Sequence, residues 1–137
     1  MNKYGSKSLE NLRTCHVDLQ VLFEEVVKNF DNTILEGHRN QEGQDKAFEE
    51  GKTQLKWPFG KHNSFPSKAV DAIPYPIDWN DTARIHYFAG YVLGIAQRLL
   101  DEGKITHQIR WGGDWNRNHH VKDNKFDDLV HFEIVEN

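Results

Sequence analysis

The sequence encodes an α+β fold: a small, mostly antiparallel four-stranded sheet with helices packed on one face, leaving the other face open for a site. Three observations predict it. Two segments repeat apolar residues at helical spacing, four short segments read as strands, and the helices do not alternate strictly with the strands as a parallel sheet requires. With 137 residues, of which 37% are hydrophobic, the chain suits one domain over 1–137, large enough for a real core.

Ser8 is placed to cap a first helical piece. Leu19, Leu22, Phe23, Val26, Val27 and Phe30 then recur at helical spacing with Glu24, Glu25 and Lys28 opposite, which predicts a core helix. Cys15 and His16 fall at its start and read as structural or surface groups. Asp31-Asn32 break the pattern, and Thr33-Ile34-Leu35 make a short strand closed by Glu36-Gly37. From Asn40 to Glu50 polar helix formers predominate, and Gly51 ends a short surface helix. Lys52 to Gly60 has no period and holds Trp57-Pro58, so it is a loop whose tryptophan lines a cleft or covers the core.

A polar loop carrying His62 follows, feeding a short apolar strand, Ala69 to Ile73, that presents Asp71 and is stopped by prolines, which fit strand ends. Asp78-Trp79-Asn80-Asp81 supply cap residues for the longest helix, whose apolar stripe runs from Ile85 to Leu100 and whose end is Asp101-Glu102-Gly103. Gly90 and Gly94 read as close packing of this helix on the sheet, and His86 as a packing or surface group. Gln108 to Trp111 is a strand that Gly112-Gly113 turns into a long polar stretch up to Asp127. That stretch reads as a solvated loop; oxygen-bound calcium is the alternative, though no EF-hand pattern is present. Asp127 to Val135 is again strand-like.

The charges exclude some classes. Seventeen Lys and Arg against 21 Asp and Glu give a net charge of −4, and their scatter argues against a broad nucleic-acid-binding face. Cys15 is the only cysteine, which rules out an intrachain disulfide and a thiolate zinc cluster. The polar N-terminus lacks the apolar core of a signal peptide, so synthesis in the cytoplasm is expected. Tyr87 to Leu100 falls short of the roughly 20 residues a membrane-spanning helix needs.

Chemistry concentrates at two places. His62 and Asp71, on a loop and the strand it feeds, are joined by a second carboxylate–histidine pair near the chain's end. Two His and one Asp, namely His62, Asp71 and His131, would leave one tetrahedral zinc position open, the mark of a catalytic site. A water there needs a base, for which Asp128 is placed three residues before His131 and Asp127 competes. Arg39 offers a fork of donors for an oxyanion or a substrate carboxylate, or else forms a surface salt bridge. Trp111 and Trp115 form an aromatic wall for a peptide or sugar, unless one closes the core. His119-His120 read as a solvated pair that remains available for substrate contact.

These residues resemble a known family. His62 and Asp71 in their Ala-Val-Asp-x-x-Pro setting, Gly37-His38-Arg39 with Gln44, Arg110-Trp111-Gly112-Gly113-Asp114-Trp115 and Asp128-x-x-His131 are similar to the small bacteriophage and prophage zinc peptidases of peptidoglycan. That group contains L-alanyl-D-glutamate endopeptidase endolysins and D-alanyl-D-alanine carboxypeptidases, and shares its zinc-site fold with the hedgehog signalling domain. The likeness runs from about Tyr4 to Val135. It implies zinc held by His62, Asp71 and His131, Asp128 as base, Arg39 on the substrate or oxyanion, and Gln44 near the substrate. Eight residues separate His62 from Asp71, more than is common in the family, and the base is Asp where many relatives carry Glu.

The expected activity is hydrolysis of an amide in the peptidoglycan stem peptide, by an endolysin-type L-alanyl-D-glutamate endopeptidase or, as the alternative, a D-alanyl-D-alanine carboxypeptidase. A zinc-stabilised cell-wall-binding module is the non-enzyme alternative. A monomer is expected, held in the host cytoplasm without stable membrane association and released to the wall when a holin breaches the membrane.

Overall fold

A computed structural model describes residues 1–136 of the chain. The elements run α1 (Ser6–Leu12), α2 (Val17–Val27), β1 (Asn32–Glu36), α3 (Gln41–Glu49), β2 (Ala69–Pro74), α4 (Thr82–Asp101), β3 (Ile109–Gly112) and β4 (Asp128–Ile134). The strands form one sheet in the order β1-β2-β4-β3, with every pairing antiparallel.

Strand alternation divides the sheet into two faces. Val70, Phe132 and Trp111 are neighbours across β2, β4 and β3 and turn toward the helices. Phe132 is fully buried and meets Phe23 of α2 and Phe88 of α4 edge-on, at ring separations of 5.5 and 6.3 Å. One residue further along each ladder the side chains point the other way: Asp71 faces His131, and Arg110 faces Glu133. Packing the core therefore sets the register that builds the opposite face. The short helix α3 stands off the sheet at the rim of that face.

The helix starts correct the sequence reading of Ser8. It lies inside α1, where its hydroxyl accepts from the Ile34 backbone N–H at 3.1 Å, while Gly5 holds the cap position without a side-chain bond. His16 caps α2 instead, its Nδ1 accepting from Asp18 N–H. Asn40 and Asp81 cap α3 and α4 through their side chains, as residues of this type do. Gly90 and Gly94 do not pack on the sheet. Both are exposed with nothing near the position of a Cβ, because the buried stripe of α4 is Ile85, Phe88, Ala89, Val92, Ala96 and Leu99.

Among the described residues no helix is long and apolar enough to cross a membrane.

Candidate active site

Each member of the central cluster is fixed by its own element. His62 sits in a loop tied to the rest of the fold by backbone bonds from Arg39 N–H to His62 O (2.8 Å) and from Lys68 N–H to Lys61 O (3.0 Å). Asp71 comes from β2 and His131 from β4, directly opposite each other in the ladder. His62 Nε2 lies 3.1 Å and His131 Nδ1 3.4 Å from the same oxygen, Asp71 Oδ1.

The remaining nitrogens of both rings are committed to acceptors. His62 Nδ1 lies 2.7 Å from the Gly37 carbonyl, and His131 Nε2 lies 2.7 Å from Glu133 Oε1. A carbonyl and a carboxylate can only accept, so those nitrogens donate to them, and His62 Nε2 and His131 Nδ1 are the ring atoms turned toward Asp71. The three ligand-capable atoms lie within 4.8 Å of one another. Two imidazoles and a carboxylate, all nearly buried and pre-oriented by hydrogen bonds, fit a zinc-type cation.

The electrostatics show how tightly the groups are coupled. Burial opposes charge on Asp71, yet the His62 and His131 rings hold its carboxyl well below the usual carboxylate range. Burial would lower His131, but its bonds to Asp71 and Glu133 push it up to about 10. Burial, then the charge of Asp71, pushes Asp128 up to about 6. A cation held here would take the place of the proton on His131 Nδ1 and would favour charged carboxylates.

Asp128 Oδ2 stands 3.8 Å from His131 Nδ1. In a regular strand, residues three apart point to opposite faces, and Asp127 would share the face of His131. The pairing of β3 with β4 is irregular: Trp111 pairs with Phe132, but Gly112 pairs with Asp128. This bulge turns Asp128 toward the site. Asp127 is exposed and accepts from Asn124 instead.

Arg39 donates to Glu36 through Nε (2.8 Å) and NH2, and to Gln44 Oε1 through NH1 (3.0 Å), and its NH2 lies 3.7 Å from Asp71 Oδ2. It is a nearly buried cation beside the cluster, not a surface salt bridge. Gln44 is fully buried; it accepts from Arg39 and Asn63 and donates to the Leu55 carbonyl. The expected substrate contact is thereby replaced by a positioning role, since its polar atoms are already engaged by protein.

The two tryptophans part company. Trp111 faces the helices, 4% exposed, with its Nε1–H on the Leu129 carbonyl and its ring against His86. It closes the core and does not form a substrate wall. Trp115 lies over the site, its ring 5.6 Å from that of His131 and its Nε1–H on the Phe126 carbonyl.

Sequence reading missed Glu133 and Arg110. Glu133, 4% exposed, accepts from His131 and from Arg110 NH2 at 2.7 Å. Burial opposes its charge, but His131 and Arg110 bring it to about 2. The signal lay in the alternation of β4, which puts Glu133 on the face of His131. A second His-Asp-His group, His16, Asp18 and His107, ties α2 to the α4–β3 connection: Asp18 Oδ2 accepts from Thr106 N–H, the Thr106 hydroxyl and His107. In the 114–127 loop, Asp114 is spent on the backbone N–H groups of Asn118 and His119, which fits a self-tied polar loop. His119 and His120 are exposed in it.

Two cavities flank the cluster, of about 330 and 770 Å³. His62 and His131 line the first and Asp71 the second, while Arg39, Phe126 and Asp128 border both. The centre thus lies between two cavities that share these three residues as lining.

No curated protein matches the chain. Among solved structures, the L-Ala D-Glu endopeptidase ChiX of Serratia marcescens has a TM-score of 0.67 at 22% identity, over 96% of this chain and 89% of that one, so the fold is shared. The family model of phage L-alanyl-D-glutamate peptidases matches residues 1–135, nearly the entire sequence, and the chain belongs to that family.

Proposed function

We propose that the chain is a zinc-dependent endopeptidase that hydrolyses the L-alanyl–D-glutamate bond of the peptidoglycan stem peptide and serves phage-mediated lysis. The observation that carries this reading is the pre-oriented His62, Asp71 and His131 cluster with Asp128 beside it, set between two cavities. An endopeptidase needs chain on both sides of the scissile bond, which a cavity on each side of the centre can admit. A carboxypeptidase needs a closed end with a group to pin a terminal carboxylate. A wall-binding module has no use for a proton acceptor beside the third ligand.

His62 Nε2, Asp71 and His131 Nδ1 would hold the metal. When bound, zinc lowers the pKa of a coordinated water to ~7 and polarises a carbonyl. Asp128 accepts the proton of the attacking water at its carboxylate and passes it to the leaving amide nitrogen, so that the amine departs neutral. Burial keeps the carboxyl's proton affinity high enough for both transfers. Arg39, fixed by Glu36 and Gln44, supplies positive charge beside the reacting carbonyl and holds the developing oxyanion. Trp115 and Phe126 line the first cavity beside His131.

The test is digestion of peptidoglycan by the purified protein, with and without a chelator, followed by mass spectrometry of new termini. Chelator-sensitive D-Glu amino termini are expected. Released D-Ala would replace the reading with a carboxypeptidase, and no cleavage would leave a binding module. We propose, too, that the monomer awaits a holin in the host cytoplasm. Efficient export of the intact chain from cells expressing it alone, without lysis, would refute that.

A further inference from the structure

The two cavities beside the centre differ in charge. Apart from the shared Arg39 and Asp128, the first carries Lys61 and Lys125, and its other carboxylate, Glu133, is buried and neutralised by Arg110 and His131. Lys61 is partly committed to Glu136 at 3.2 Å. Lys125 is exposed and, among the described residues, makes no ion pair. The second cavity carries Glu36, Asp71 and Asp127, and its lysine, Lys52, is held by Glu50 at 3.1 Å. It also carries Trp79, 57% exposed at the entrance to α4.

The substrate of the proposed reaction is equally asymmetric. L-Alanine is joined to the lactyl group of the sugar and brings no charge. D-Glutamate continues through its γ-carboxyl, leaving a free α-carboxylate on the carbon that bears the scissile nitrogen. Placed in the second cavity, that carboxylate would face Asp127, since Glu36 is already held by Arg39; placed in the first, it meets Lys125, whose flexible stem can follow it. The uncharged sugar end suits the exposed indole of Trp79, an amphipathic surface for stacking.

Resting on the endopeptidase reading, we propose that the substrate lies across the site in one direction. The D-glutamate half occupies the His62 and His131 side, with Lys125 recognising its α-carboxylate. The L-alanine and sugar half occupies the Asp71 side against Trp79.

The test uses the metal-loaded protein and two synthetic muramoyl peptides that differ only at the D-glutamate α-carboxyl, free in one and amidated in the other. A third peptide has the free carboxyl but no sugar. Wild type should prefer the free acid by about twofold to fivefold in kcat/KM, as expected for one exposed charge pair. Lys125→Met should erase that preference by slowing the free acid alone. Trp79→Ala should raise KM for the muramoyl peptide and leave the sugarless one unchanged. Equal cleavage of both muramoyl peptides by wild type, or a preference that survives Lys125→Met, overturns the orientation. Loss of the preference in Lys52→Met instead would mean the reverse direction. If wild type cleaves neither peptide at this bond, the endopeptidase reading itself has failed.

Discussion

His131 is gripped from two sides, by Glu133 at Nε2 and by Asp71 at Nδ1. Glu133→Gln keeps the shape but weakens the charge-assisted bond that aims the ring, so zinc affinity should fall about 10–100-fold, measurable by competition with a chromophoric chelator. Alanine at His62, Asp71 or His131 should remove most of the metal, whereas His119→Ala, in an exposed loop position, should retain it. Atomic absorption of the purified variants checks both. Asp128→Asn should keep the metal and lose about 10²–10⁴-fold in kcat, while Asp127→Asn should retain activity. The base acts deprotonated, so the rate falls as pH drops through its pKa. That value is about 6 in the metal-free protein, and the added positive charge of a cation moves it lower, so the acid limb of the wild-type profile should lie at or below about 6.

At the level of elements, the strand bulge decides which aspartate reaches the cluster. A Cβ at Gly112 would collide with the Asp128 carbonyl and come within 2.9 Å of its Cβ. Gly112→Ala should therefore push Asp128 out of place and cost activity out of proportion to any loss of thermal stability, which parallel assays of kcat and melting temperature would show. Helix α4 gives the opposite case. Gly90 and Gly94 are exposed in its interior with free space where a methyl would go, so alanine at each should stabilise the fold by about 0.5–1 kcal/mol. Denaturant titration reads this directly; destabilisation would mean that the face is covered in solution. The sequence could not tell packing glycines from exposed ones, because a helix places either kind at the same spacing.

For the molecule as a whole, the site should couple stability to pH and, through the proposed metal, to its loading. His131 rises from 6.5 to about 10 in the fold, so the metal-free native state binds that proton more tightly than the unfolded chain. Its stabilisation is complete below 6.5 and is lost as pH rises toward 10. Asp128, raised from 3.8 to about 6, loses its contribution in the same direction over a lower window. Chelated protein should thus melt at lower temperature near pH ~9 than near pH ~6. A bound cation takes the proton's place on His131, so metal-loaded protein should show a much smaller alkaline loss and a higher melting temperature throughout. Calorimetry of both forms at the two pH values decides it, and identical alkaline losses would break the link between His131 and the metal.

The sequence by itself determined what depends on local pattern: the core helices, the strand order along the chain, the cap of α4, the glycine that ends α3, and the histidines and carboxylates available to a metal. Apolar period and turn residues act over a few neighbours and are legible without partners. The Asp-x-x-His likeness named Asp128, but only tertiary structure showed how a bulge turns it rather than Asp127 to the site, that Trp111 serves the core while Trp115 lies over the centre, that Gln44 is consumed in holding Arg39, and that Glu133 and Arg110 fix His131. Each of these follows from which residue stands opposite which across β3, β4 and the loop before β2. Register and bulges arise from pairing between segments far apart in the chain. A one-residue slip there exchanges core and site, and no local pattern records it.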